Sequence, residues 1–262
     1  MKSCAIVATH HKTGTVWMSS TFQRICKVRK IRFCRIDRSE PVEKMDYSVP
    51  TVFFSFHSNF DGFPELQSNK YPVFHLIRDP RDVLISGMYY HRKAKEKWLF
   101  DSKIEFGTMG YQEKLNSFAT ERDRLQFELD NSTTKTTSAM LRWNYSQSRS
   151  FECKYENLIQ DSEGELFAKA CIHLGFGPRE LVRCKGGFLR NSIFAKKPRL
   201  KGKITHVRSG HAQQWRSVFD KTLAKSFEER FPGGLVKLGY EKDASWIEQL
   251  PDTNERLDEM TP

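Results

Sequence analysis

The run Cys4-Ala-Ile-Val-Ala8, followed at once by the polar turn Thr9-His-His-Lys-Thr-Gly14, constrains this chain more than any other feature. Consecutive apolar residues without polar alternation suit a strand buried on both faces, as in a parallel sheet. The turn leads into a helical stretch from about Thr15 to Cys26. A strand, a short glycine turn and a helix together make an anion site. The first N–H groups of the helix lack internal partners, the helix dipole adds about half a positive charge there, and glycine lets a ligand approach the backbone. Lys12 supplies a full charge, and Thr13 or Thr15 supplies hydroxyl donors. An ordinary strand-to-helix turn with a surface lysine is the plainer alternative. No GxxxxGK[ST] pattern occurs, so this is not a Walker A loop.

Further strands are expected at Ile31–Ile36, Thr51–Phe56, Val73–Ile77 and Phe151–Tyr155. Strands alternating with helices predict a three-layer α/β/α fold with a mainly parallel sheet. Asp79 is placed to cap a helix with Pro80 in its first turn. Ser162-x-x-Glu165 reads as a capping box for a helix running to about His173. Helical patterns also cover about 111–129 and 133–147, and the chain from about Arg179 onward is helical. Residues 92–110 read as a substrate loop or lid, 196–210 as a polar loop that closes on a cosubstrate, and the part after Tyr240 as a tail. With 262 residues, no internal repeat and no low-complexity linker, a single domain over 1–262 is expected.

Lys and Arg total 43 against 32 Asp and Glu, a net charge of +11, which favours an anionic partner. Nucleic acid is disfavoured because the basic residues are scattered and no nucleic-acid-binding motif is present. A membrane is disfavoured because no apolar run approaches the ~18 residues of a span. Cys4–Ala8 is too short for a signal peptide, which leads to a cytoplasmic placement. The six cysteines form no CxxC pair and no metal-ligand spacing with histidine, so reduced, mostly buried thiols and no metal are expected.

Four segments in order carry a family resemblance. Ala8-Thr-His-His-Lys-Thr-Gly-Thr-Val-Trp17 resembles the 5′-phosphosulfate loop of the sulfotransferases, with His11 where proline is usual. Arg78-Asp-Pro-Arg-Asp-Val-Leu-Ile-Ser86 resembles their 3′-phosphate motif. Lys154-Tyr-Glu-Asn-Leu158 resembles a strand end whose tyrosine lies near adenine. Val207-Arg-Ser-Gly-His-Ala-Gln-Gln-Trp215 resembles a loop that closes over the 3′-phosphate, with Ser209, Gln213 and Gln214 departing from its commonest form. The resemblance implies a P-loop-NTPase-like fold and a metal-free reaction. The sulfuryl donor would be 3′-phosphoadenosine 5′-phosphosulfate (PAPS) and the product 3′-phosphoadenosine 5′-phosphate (PAP). It assigns Lys12, Thr13, Gly14, Thr15 and the Val16 amide to the phosphosulfate. Arg78, Ser86, Arg208 and the Ser209 and Gly210 amides fall to the 3′-phosphate, and Tyr155 to adenine. Arg78 at a strand's C-terminal end suits that role on its own chemistry, because its planar fork matches a phosphate. A local Arg78–Asp79 ion pair is the bland reading.

A hydroxyl or amine acceptor must lose a proton as it attacks sulfur, and histidine titrates near neutrality. The strand Phe53-Phe-Ser-Phe-His57 resembles the family strand that ends in the catalytic histidine, which implies His57 as the general base. Ser55 stands where that family has a lysine, leaving Lys12 to stabilise more of the leaving-group charge. His11 is the rival base, His75 is expected to be a core histidine, and His91, His206 and His211 are expected at the surface. Phe53, Phe54, Phe56, Phe60, Tyr89, Tyr90 and Trp98 provide aromatic surface for a small-molecule acceptor. Strand alternation allows at most half of the phenylalanines beside His57 to face it. Two other classes compete: a basic nucleic-acid-binding module, and a small-molecule kinase, which the missing Walker A loop disfavours.

Overall fold

The structure, a computed structural model, describes residues 1, 3–36, 46–101, 106–192 and 210–259. Its strands are β1 (Ala5–Thr9), β2 (Arg32–Ile36), β3 (Thr51–Ser55), β4 (Val73–Ile77) and β5 (Ser150–Lys154). The helices are α1 (Thr15–Arg29), α2 (Pro64–Gln67), α3 (Pro80–His91), α4 (Tyr111–Ser117), α5 (Glu121–Glu128), α6 (Thr134–Arg142), α7 (Tyr155–Ile159), α8 (Glu165–His173), α9 (Pro178–Asn191), α10 (Lys221–Arg230) and α11 (Gly234–Lys237). The chain divides into two compact units, one of Met1–Arg78 with Trp143–Ile204, the other of Asp79–Arg142 with Thr205–Pro262.

The first unit holds the sheet, in the order β2-β3-β1-β4-β5, with every neighbouring pair parallel. β1, β3 and β4 are buried along their whole length, which is why their sequences run apolar without alternation. Ala5, Val7, Phe54 and Phe74 face Trp17, Met18 and Phe22 of α1 with Phe167 of α8 and Phe188 of α9. The opposite face carries Ile6, Phe53 and Val73 under Phe60, Phe63 and Leu66. The fold class is thus the expected one, a parallel α/β sheet flanked by helices. Phe22 packs 5.5 Å from Phe167, centroid to centroid. Truncating such a buried ring costs about 3–5 kcal/mol.

Several local expectations are refined. α1 runs on to Arg29 and ends in a left-handed Lys30 (φ 54°), with the Ile31 amide donating to the Cys26 carbonyl. The basic side chains of its last turn complement the helix dipole. The Ser162 capping box does not form. Asp161 takes its place, its two carboxylate oxygens accepting from the Glu165 and Phe167 amides at 2.8 and 2.9 Å. Tyr155 opens α7 instead of closing β5.

In the second unit, Asp79 caps α3 as expected, its carboxylate accepting from the Arg81 amide at 3.0 Å with Pro80 at the first position. The helix expected over 111–129 is two helices, because Thr120 accepts from the Asp123 amide and starts α5 afresh. A π-turn at Leu129–Thr133 then joins α5 to α6, which stops at Arg142. The segment after Tyr240 is no loose tail, since Trp246, Ile247, Leu250 and Leu257 all enter this unit's core. His91 is also a correction: it is fully buried, with Nδ1 2.9 Å from Glu128 Oε2, and does not lie at the surface.

Candidate active site

The turn after β1 is built around the carbonyl of His10. Thr13 Oγ1 and Thr15 Oγ1 both donate to it, at 2.8 and 2.7 Å, and Thr13 Oγ1 accepts from the His10 amide at 3.0 Å. The two hydroxyls expected as ligand donors are therefore spent on shaping the turn. Its capacity for an anion rests on the amides at the start of α1, on Lys12, and on the concave backbone. Lys12 (φ 63°) and Gly14 (φ 98°) are both left-handed, a conformation that gathers successive N–H groups into an anion-binding nest. At Gly14 the requirement for glycine is double, because an added Cβ would also lie 3.0 Å from Cδ2 of Tyr155. Val16 is exposed on the first turn of the helix.

Sheet register brings the second anchor to the first. Pairing of Ile77 with Lys154 puts Arg78 and Tyr155 side by side at the next position. The Arg78 guanidinium sits 4.6 Å from the Tyr155 ring centre, and its Nη1 donates to the Lys12 carbonyl at 3.1 Å. Trp17 meets Tyr155 edge to face at 6.2 Å, and its buried indole Nε1 has no hydrogen-bond partner. Lys12, Gly14, Trp17, Arg78 and Tyr155 thus converge at the C-terminal ends of β1, β4 and β5. The chain leaves β1 toward β2 but leaves β4 toward β5, so β1 and β4 flank a switch point of the kind where open α/β sheets bind ligands.

His57 follows β3 and is exposed, while Phe56 is half-buried. Phe53 and Phe54 are fully buried on opposite faces of the sheet, which leaves neither for an acceptor. Ser55 closes the turn before the histidine: its hydroxyl accepts from the Asn59 amide at 3.2 Å and donates to the Asn59 carbonyl at 3.3 Å. His75 is buried as expected of a core histidine, yet it is not surrounded by hydrocarbon. Its Nε2 lies 2.8 Å from Nε2 of His10, and its Nδ1 lies 2.5 Å from Oε2 of Glu152.

His11 is half-buried in the turn after β1, and the remaining expected residues belong to the second unit. Ser86 is half-buried on α3 and Gly210 is buried with φ 68°. Arg208 and Ser209, with His206 and most of the 196–210 loop, lie outside the described residues. Tyr89 donates to Glu121, while Tyr90 Oη and Trp98 Nε1 both donate to Glu96, at 2.6 and 2.7 Å. Asp82, fully buried on α3, accepts from the Gln213 and Trp215 amides at 2.7 and 3.1 Å. Arg81 stacks 3.5 Å from the Trp215 ring centre and pairs with Asp79 and Glu241.

The sulfotransferase domain model matches residues 2–239. The chain belongs to the sulfotransferase family. It is accordingly a PAPS-dependent enzyme that transfers a sulfuryl group. Sulfotransferase 2A6 of Rattus norvegicus is 27% identical over 86% of this chain and 82% of its own length. Sulfotransferase 2A1 of Homo sapiens is 22% identical over 89% and 84%. Among solved structures, the mouse sulfotransferase SULT7A1 complexed with PAP superposes with a TM-score of 0.58 at 12% identity, over 95% of this chain and 88% of that one. Retinol dehydratase, in complex with androsterone and PAP, gives 0.50 at 15% identity, over 88% and 80%. Four residues of this sulfotransferase escaped the sequence reading: His10, Arg81, Asp82 and Glu152. Each reads locally as a turn, helix or strand residue, and only its partner, 65 or more positions away for three of them, gives it a role.

Proposed function

We propose that this sulfotransferase moves the sulfuryl group of PAPS to a hydroxyl or amine of a small-molecule acceptor, with His57 as general base. The observation that carries the reading is the Arg78–Lys12 contact at 3.1 Å, which ties a phosphate-matching guanidinium to the anion turn. The residues fit the nucleotide in two further ways. The unpartnered Nε1 of Trp17 offers a buried donor to a base edge, and the Tyr155 ring offers a face for stacking. His57, exposed at the strand end, takes the acceptor's proton. Lys12 and the α1 amides hold the charge left on the 5′-phosphate. Ser86, Arg208, Ser209 and Gly210 retain their 3′-phosphate roles on sequence resemblance. Phe56, Tyr89, Tyr90, Trp98 and His11 are the acceptor-binding residues of this reading. The six free thiols suit a reducing, cytosolic setting.

Thermal unfolding during titration with PAP, and separately with adenosine 5′-monophosphate, tests the nucleotide assignment. A ligand at 100 times its dissociation constant stabilises by about 2.7 kcal/mol. Stabilisation by PAP well beyond the monophosphate is the expected result. Equal effects of the two would overturn the assignment of Arg78 and its neighbours to the 3′-phosphate.

A further inference from the structure

A line of polar side chains crosses the first unit behind the strand end that carries His57. Pairing of Ala8 with Ser55 ends β1 and β3 side by side, and each strand runs on within two residues to a histidine, His10 and His57. The pairing of His75 with Glu152 sets those two directly opposite each other on β4 and β5. His10 and His75 are buried, and their rings meet edge to face at 5.1 Å with the two Nε2 atoms 2.8 Å apart. His75 is clamped flat against Trp143, ring centres 3.9 Å apart, and Trp143 Nε1 donates to Glu152 Oε1 at 2.9 Å. Glu152 stands at the far end with its side chain 29% exposed, in reach of water.

The donors and acceptors admit a definite order. With Glu152 ionised, its two oxygens accept from Trp143 Nε1–H and His75 Nδ1–H. His75 Nε2 is then an acceptor, so His10 Nε2 carries the hydrogen between them. His10 Nδ1 is left as a lone pair, and it is a buried nitrogen with no hydrogen-bond partner. A buried unsatisfied acceptor costs free energy, and this one belongs to the histidine that follows the strand beside β3. The charge of His57 acts on His10, whose imidazole is held far toward neutrality by burial first and by His75 and His57 after it.

We propose that His10, His75 and Glu152 form a proton relay that drains His57 during turnover. This rests on the reading of His57 as the base. As His57 takes the acceptor's proton on one nitrogen, its exposed ring turns in and passes the proton on its other nitrogen to His10 Nδ1. The His10 Nε2 proton moves to His75 Nε2, and the His75 Nδ1 proton moves to Glu152. His57 ends neutral, both imidazoles have changed tautomer, and the carboxyl carries the proton until water removes it. No co-reactant is needed.

The groups facing this line bear on its titration. His10 meets His57 and His75. His75 meets Glu152, Trp143 and Tyr145. Glu152 meets Trp143, Ser150 and the Tyr145 ring. Burial pushes the Glu152 carboxyl up to about 7 against the hydrogen bond from Trp143 and the pull of the nearby Ser150 hydroxyl. Below that pH the protonated acid would donate to His75 Nδ1 and reverse every tautomer. His10 Nδ1 would then carry a hydrogen and could accept nothing from His57. The relay therefore works above about pH 7 and is blocked below it.

Steady-state kinetics of Glu152→Gln, Glu152→Asp, His57→Ala and the Glu152→Gln/His57→Ala pair across pH test it, with PAP affinity measured for each protein. Glu152→Gln keeps the shape but cannot take a proton. It is expected to lower kcat about tenfold, to leave PAP affinity and the KM for PAPS in place, and to remove the acid limb near pH 7. Glu152→Asp should restore part of kcat, and His75→Gln should reproduce the Glu152→Gln pattern. In the His57→Ala background Glu152→Gln should cost nothing further. An unchanged kcat and acid limb in Glu152→Gln overturns the relay, as does an equal fold-loss in both backgrounds. His57→Ala with near wild-type turnover instead overturns the base assignment itself.

Discussion

Arg78 Nη1 donates to the backbone carbonyl of Lys12 at 3.1 Å, joining the residue after β4 to the turn after β1. The two residues are separated by 66 positions.

Arg78→Ala should abolish the preference for PAP over adenosine 5′-monophosphate while leaving the monophosphate's affinity within a few fold. Arg78→Lys should not restore it, because an ammonium cannot offer the planar fork or rest on the Tyr155 ring as the guanidinium does at 4.6 Å. Calorimetric titration of the two nucleotides reads the difference directly. Retained selectivity in Arg78→Ala would remove this residue from the 3′-phosphate site.

Gly14→Ala should weaken PAP binding more than it weakens the fold. The residue has φ 98°, and the new Cβ would press on Tyr155 Cδ2 at 3.0 Å. The left-handed backbone alone costs about 1–2 kcal/mol for an L-residue, and displacing Tyr155 disturbs Arg78 as well. Comparison of urea midpoints with PAP dissociation constants separates the two effects.

His57→Ala should lower kcat by ~10²–10⁴, the usual loss for a general base. Lys12→Ala should lower it by ~10²–10³, as for one preorganised charge-stabilising donor. His57 is exposed, so its removal should leave the unfolding free energy within about 0.5 kcal/mol of wild type. Full turnover by His57→Ala would put the rival His11 forward as the base.

Asp82→Asn should destabilise the protein by about 1–3 kcal/mol, since one of the two amides now bonded at 2.7 and 3.1 Å would face an NH2 group. Those amides belong to Gln213 and Trp215, in the segment that resembles the nucleotide-closing loop. PAP affinity should therefore fall as well, and denaturant unfolding with and without PAP measures both.

His75→Gln should flatten the loss of stability on acidification. Burial lowers the His75 imidazole from 6.5 to about 3, so the unfolded chain takes up a proton that the folded chain refuses. That contribution is intact above about pH 6.5 and drains away as pH falls toward 3. Glu152 works in the opposite sense: raised from 4.5 to about 7, it favours the fold at low pH and loses that contribution as pH rises through 7. Removing the imidazole leaves only the carboxyl's effect. Melting curves from pH 7.5 to 4.5 should fall less steeply for the variant, and parallel curves would show that His75 is not held neutral.

Local chemistry made the sheet strands, the glycine turn ahead of α1 and the Asp79 cap legible in the sequence. Each depends on residues within one turn or one strand: an apolar run, a glycine ahead of a helix, a proline after a carboxylate. The same reading went astray where competing local signals were close in strength. Asp161 displaced Ser162 as a cap, and Thr120 restarted a helix inside a continuous helical pattern. The Thr13 and Thr15 hydroxyls, expected to face a ligand, both donate to the His10 carbonyl in this structure. What only the tertiary structure decided is the partnership of groups far apart in the chain. His10, His75 and Glu152 look unrelated until parallel register sets three neighbouring strands side by side, and His91 looked exposed until Glu128 was brought to it. Apolar patterning tells a strand that it will be buried, but a buried imidazole is tolerable only with partners, and their identity is a property of register and packing that no local window contains.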